Sequence, residues 1–168
     1  VDIDKKSKNI SIEKLVEKLK MSKKKNLLPK ILIPVHFAGQ PTLQEKIYKL
    51  SKKYNFKIIE DASHSLGSKR LKNKVGNCKW SDLTVFSFHP VKPITTAEGV
   101  IITTNNKKYY EDLKMLRNHG ILRDKRKLKI KSHWYYEQVK LGFNYRMNEI
   151  QAALGINQLK KLNLFNDF

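Results

Sequence analysis

Hydrophobic positions along this chain follow two spacings. In "SIEKLVEKLK" (11–20), Ile12, Leu15, Val16 and Leu19 recur every three or four residues, which predicts a helix with one apolar face. Ser11 or Asn9 stands where its N-cap belongs. "KILIPVHF" (30–37) is instead a continuous apolar run of strand length, expected to be buried on both faces of a sheet. Helical spacing returns in "LQEKIYKLSKKY" (43–54), with Leu43, Ile47 and Leu50 directed inward. Three more strands are predicted in "FKIIED" (56–61), "DLTVFSF" (82–88) and "GVIITT" (99–104). A helix over 105–120 follows, with Gly120 as its C-terminal stop. A basic loop (122–133) then leads into "WYYEQVKLGFNYR". One long helix is expected over 147–165, with Met147, Ile150 and Leu154 on one side.

Strand–helix–strand order with short connections predicts an α/β fold, a mainly parallel sheet flanked by helices. Ligands of such sheets gather at the carboxyl ends of the strands. Asp61 closes one predicted strand, and Ser87 through Lys92 follow the end of another.

Composition narrows the reading. The 168 residues are enough for one domain with a sizeable core. No apolar run approaches the roughly 20 residues of a membrane-spanning helix, and the basic start lacks the apolar segment of a secretion signal. No membrane association is expected, and a single cysteine, Cys78, fits a reducing cytoplasm. The net charge of +20 raises nucleic-acid binding. Thirty lysines against five arginines, scattered through every helix, speak against it, because arginine is the preferred reader of phosphates and bases. An anionic substrate remains compatible with the field. The start without Met and the stop inside an apolar helix are read as the marks of a fragment.

The chemistry turns on "FSFHPVKPITTAEG" (86–99). An amine is nucleophilic only when neutral, and a crevice with little water favours that form. A lysine after a strand suits carbonyl chemistry for this reason. Pyridoxal phosphate asks a protein for a lysine, a carboxylate for its ring nitrogen and donors for its phosphate. Lys92, Asp61 and Ser87 offer one of each. The lysine also has a plainer reading as a loop cation, and the serine as a hydroxyl turned away along an alternating strand.

Four segments, "PVHFAGQ", "IIEDASHSLGS", "VGNCKWSDLTVFSFHPVK" and "LGFNYRMNEIQAAL", resemble in order and spacing the sugar aminotransferases of the DegT/DnrJ/EryC1/StrS family. The resemblance implies the large domain of the aspartate-aminotransferase fold (fold type I) and pyridoxal 5'-phosphate as cofactor. It leans toward the branch that aminates C4 of UDP-4-keto-6-deoxy-N-acetylhexosamine on the way to pseudaminic acid, with glutamate as amino donor. By resemblance, Lys92 attaches the cofactor and shuttles the proton, and Asp61 pairs with the ring nitrogen. His64 sits beside the ring and Ser87 donates to the phosphate. Asn144 reaches the phosphate of the other subunit in a homodimer, a role for which Arg146 competes. Trp134, Tyr135 and Tyr136 are either sugar or uracil platforms or a buried aromatic cluster.

Two departures stand out. Ala97 and Val100 replace glycines of the family's Gly-Glu-Gly-Gly, with crowding of that turn as the expected consequence. The family's N-terminal phosphate-binding segment and small C-terminal domain have no counterpart in residues 1–168, which are therefore expected to be a partial large domain. Two rivals are a pyridoxamine-dependent sugar dehydratase, disfavoured because that branch carries histidine in place of Lys92, and a basic binding module without catalysis.

Overall fold

The computed structural model describes residues 1–122, 124 and 128–166. The basic loop expected at 122–133 thus lies partly outside the described residues. In chain order the elements are α1 (Ile12–Lys24), β1 (Ile31–Leu32), α2 (Gln44–Tyr54), β2 (Lys57–Asp61), β3 (Lys69–Arg70), β4 (Asn73–Lys74) and β5 (Leu83–Ser87). They continue with β6 (Val100–Thr103), α3 (Lys107–Leu116), β7 (Ile121–Leu122), β8 (Glu137–Gln138), α4 (Glu149–Leu159) and α5 (Leu162–Asn166). The chain divides into two compact units, Val1–Asn105 with Glu149–Phe168, and Asn106–Asn148.

In the first unit, Ser11 caps α1: its Oγ accepts the Lys14 N–H at 3.2 Å, satisfying one of the donors a helix start leaves free. Asn9, the other candidate cap, is buried and ties down the 36–40 loop. Its Oδ1 accepts the Phe37 N–H at 2.8 Å, and its Nδ2 donates to the Gln40 carbonyl at 2.9 Å. Leu15 and Leu19 of α1 meet Ile47 and Tyr54 of α2 over Phe56 and Ile58, forming the core cluster.

The sheet runs in the order β1-β2-β5-β6. β1–β2 and β2–β5 are parallel, and β5–β6 is antiparallel. The fold is therefore α/β with a mainly parallel sheet, as the pattern predicts. Alternation along the strands, with Glu60 opposite Thr84 and Asp61 opposite Val85, gives each face its own set. Leu32, Ile58, Glu60, Thr84 and Phe86 share the face that carries the helices. Ile31, Ile59, Asp61, Val85, Ser87 and Ile102 share the other.

That second face corrects the expectation for 30–37. Ile31, Ile33 and Val35 are 43–60 % exposed, so this run is buried on one side only. β1 is an edge strand of two residues, and beyond it Pro34 leaves only an isolated bridge from Val35 to Asp61. The inward face of α2 is also shifted from the expected Leu43–Ile47–Leu50 to Gln44, Ile47, Ser51 and Tyr54. Gln44 is inside because its amide has a buried partner, Glu60.

The second unit holds α3, β7 and β8. Asn106 caps α3 through its Oδ1, which accepts the Lys108 N–H at 2.9 Å and the Tyr109 N–H at 3.2 Å. The helix ends at Leu116 with Arg117 as its C-cap, not at Gly120. Gly120 is required for another reason. Its φ is +68°, and a Cβ there would lie 1.9 Å from the Lys140 carbonyl oxygen, so only glycine lets the two chain segments cross. The single long helix expected over 147–165 is two, α4 and α5, separated by Lys160 and Lys161.

Candidate active site

β2 and β5 are adjacent and parallel, so their carboxyl ends point the same way. Asp61 ends β2 and is partly buried. Its Oδ1 accepts both the Ser63 N–H at 3.1 Å and the Ser63 Oγ–H at 2.6 Å. This Asx-type turn pins one carboxylate oxygen and leaves Oδ2 for another donor. The Asp61 main chain is held by Pro34 and His36: the Asp61 N–H donates to the Pro34 carbonyl at 2.9 Å, and the His36 N–H to the Asp61 carbonyl at 3.0 Å.

Ser87 ends β5 two residues beyond Val85, the register partner of Asp61. Ser87 and Asp61 therefore rise from the same sheet face, not from opposite ones. The Ser87 Oγ accepts the His89 N–H at 3.4 Å, which leaves its own proton to donate. The chain then turns: the Lys92 N–H donates to the His89 carbonyl at 2.9 Å, with Pro90 at the turn position that suits its fixed φ. The loop closes on Phe88, whose N–H donates to the Gly99 carbonyl at 2.8 Å and whose carbonyl accepts the Thr96 N–H at 3.0 Å. Lys92 is partly buried and forms no ion pair among the described residues. β5 stops at Ser87, so Lys92 lies on the turn beyond the strand and not at its end.

His64 follows Asp61 in the next turn and is exposed. Its carbonyl fixes one neighbour: a Cβ on Gly39, at φ +83°, would lie 3.1 Å from that oxygen. Asn144 belongs to the second unit. It is exposed and bridges to Asn118. Arg146 donates through Nη1 to Asn118 Oδ1 at 2.7 Å and so is engaged within its own unit. Trp134 and Tyr136, 75 % and 58 % exposed, do not form the buried aromatic cluster that was one of their two readings.

Around Ala97 the strain is conformational. Its φ is +65°, its methyl is exposed, and Thr95 Oγ1 accepts its N–H at 2.9 Å. Val100 sits in β6 at 59 % exposure. Neither side chain crowds the turn, so the expected steric conflict is replaced by the cost of holding alanine in the left-handed region. Ala97→Gly should raise unfolding free energy by about 1 kcal/mol, seen as a higher urea midpoint at unchanged m-value.

Apolar spacing alone does not mark Glu60 as a buried residue. The adjacent pair Glu60–Asp61 on a strand held the clue, because alternation must send one carboxylate inside. Glu60 is 1 % exposed and Asp61 is not buried. His89, to which the sequence assigned no role, places its Nε2 3.9 Å from Glu98 Oε1.

A half-engaged carboxylate and a hydroxyl with a free proton at adjacent strand ends, followed by an amine without an ion pair among the described residues, match in kind what pyridoxal phosphate asks of a protein. Among the described residues no cluster of His, Cys, Asp and Glu could hold a metal ion, and no helix is long and apolar enough to cross a membrane.

Comparison with known proteins bears on this arrangement. The chain is 48 % identical over 128 residues to the UDP-4-amino-4,6-dideoxy-N-acetyl-beta-L-altrosamine transaminase of Campylobacter jejuni, covering 76 % of this chain and 32 % of that protein. Its fold matches Helicobacter pylori PseC, an aminotransferase involved in the biosynthesis of pseudoaminic acid, with a TM-score of 0.81 and 36 % identity over 97 % of this chain and 40 % of that one. It also matches the PLP form of the sugar aminotransferase Spr1654 of Streptococcus pneumoniae, with a TM-score of 0.76 and 26 % identity over 98 % of this chain and 43 % of that one. The chain thus spans well under half the length of these relatives. Residues 1–167 match the DegT/DnrJ/EryC1/StrS aminotransferase family, and the chain belongs to it.

Proposed function

We propose that the protein carrying these residues is a pyridoxal-phosphate-dependent aminotransferase that passes an amino group from glutamate to a nucleotide-linked keto-deoxy sugar. The favoured acceptor is C4 of a UDP-4-keto-6-deoxy-N-acetylhexosamine, as for a pseudaminic acid type of product. The names of the Campylobacter and Helicobacter relatives support that substrate class. Residues 1–168 would form part of the cofactor-binding large domain, with the phosphate-binding segment and the small domain contributed by chain outside them. The observation that carries the reading is the common sheet face of Asp61 and Ser87 at adjacent parallel strand ends, with Lys92 on the turn that follows.

When bound, the cofactor supplies an electron sink and a carrier for the amino group. The chain's residues divide the remaining work. Asp61, through Oδ2, holds a proton at the ring nitrogen. The Ser87 hydroxyl donates to the phosphate. Lys92 Nζ would be the point of attachment for the cofactor and would move a proton at the substrate carbon. His64 flanks the ring. Asn144 of one protomer donates to the phosphate held by its partner, which makes the homodimer the working unit.

Borohydride reduction of the whole protein after incubation with pyridoxal phosphate, followed by peptide mapping, tests this directly. The label is expected on Lys92. A label on another lysine, or no uptake at all, would overturn the assignment, and the second outcome would favour a binding module.

A further inference from the structure

β2 ends on two carboxylates that leave the sheet on opposite faces. Glu60, the inward one, accepts from Gln44 Nε2 at Oε1 and from the Thr84 hydroxyl at Oε2, the latter at 2.8 Å. His36 Nε2 stands 3.7 Å from Oε2, too far for a hydrogen bond. Burial works to raise the proton affinity of Glu60, but the nearby His36 ring and the donors Gln44 and Thr84 prevail and hold its pKa below the usual carboxylate value. Among the described residues no lysine or arginine pairs with it. The titratable groups that face it are His36 directly and Cys78 through Thr84, the sulfur lying 3.5 Å from that hydroxyl.

His36 is fully buried, and its Nδ1 accepts the Thr42 N–H at 3.0 Å. The ring hydrogen is therefore on Nε2, which has no hydrogen-bond partner among the described residues and faces the carboxylate. An interior anion with no cation is costly, and apolar side chains of the same volume would fill the space at less cost. This anion joins the start of α2, strand β5 and the 34–36 segment at the point where Asp61 emerges. His36 is the hinge of that junction: its N–H holds the Asp61 carbonyl, and its own carbonyl accepts the Ser65 hydroxyl at 3.3 Å.

We propose that Glu60 is a positioning residue for the reaction proposed above, and the inference rests on that reading. The buried charge faces the Nε2–H of His36, fixes the strand end that presents Asp61, and adds a second negative charge behind Asp61 that strengthens the hold on protons carried by the cofactor.

Two variants separate charge from shape. Glu60→Gln keeps the shape and removes the charge; Glu60→Asp does the reverse. In the whole protein loaded with pyridoxal phosphate, the pH midpoint of the cofactor's visible absorbance should fall by about 0.5 to 1 unit in Glu60→Gln, the scale of one nearby charge at protein-like permittivity. It should stay near the unsubstituted value in Glu60→Asp. Equal shifts in both variants, or none in Glu60→Gln, would overturn the positioning role while Lys92 still carries the cofactor. No cofactor on Lys92 in the unsubstituted protein would instead bring down the aminotransferase reading and this role with it. Imidazole nitrogen NMR of the unsubstituted protein needs no variant: His36 should show one Nε2–H tautomer, and an Nδ1–H or averaged ring would overturn the proposal.

Discussion

Lys92→Ala in the whole protein should abolish covalent attachment of pyridoxal phosphate and lower transamination by at least about 10³-fold. The size follows from the two tasks assigned to one amine. A positioned acid–base group contributes about 10² to 10⁴ on its own, and the covalent link is lost with it. Binding should suffer less than turnover, because Asp61 and Ser87 lie on separate strands and remain to hold the ring and phosphate. A control distinguishes the site from its charge. Lys79→Ala removes an exposed cation that rests over the Trp80 ring and should change activity little. Spectra and steady-state rates of the two variants, compared at equal protein, check the claim. Retention of the visible absorbance in Lys92→Ala would sink it.

The second large effect is expected from Asp61→Asn. The substitution keeps the Ser63 contacts nearly intact, since the amide oxygen can accept the same two hydrogen bonds. What it removes is the negative charge that would hold a proton at the ring nitrogen. The expected outcome is a loss of about 10² to 10³ in kcat, with a smaller change in KM, because the charge matters most when electrons are drawn into the ring. Single-turnover kinetics with glutamate would measure this. A variant within threefold of the unsubstituted rate would remove Asp61 from the site.

Much of this arrangement was legible because apolar runs are local signals. Four such runs marked four strands, and the polar residues that end two of them, Asp61 and Ser87, lie at adjacent parallel strand ends. Direction was not legible: the spacing in "GVIITT" is the same whether β6 runs with β5 or against it, and it runs against. Burial of the second sheet face was misjudged for a related reason. Whether Ile31, Ile33 and Val35 are covered depends on what packs above them, which no local pattern encodes. Glu60 and Gln44 were missed because polarity hides burial when two polar groups satisfy each other. Short hairpins such as β3–β4, two residues a side, fall below the length at which alternation can be read.

The reversal of direction between β5 and β6 has a further meaning for the order in which the sheet can assemble. Ser87 pairs with Val100, 13 positions on, whereas Asp61 must find Val85, 24 positions on, and Ile31 must find Lys57, 26 positions on. Chain-closure entropy grows with the logarithm of separation, about 0.6 kcal/mol for each doubling. The pairing that frames Lys92 is thus the most local in the sheet and the least opposed by chain entropy. By closure alone, the arm carrying the amine can be in place before either parallel strand arrives, and β2, with Asp61 at its end, docks onto a strand β5 whose following loop is already fastened at both ends.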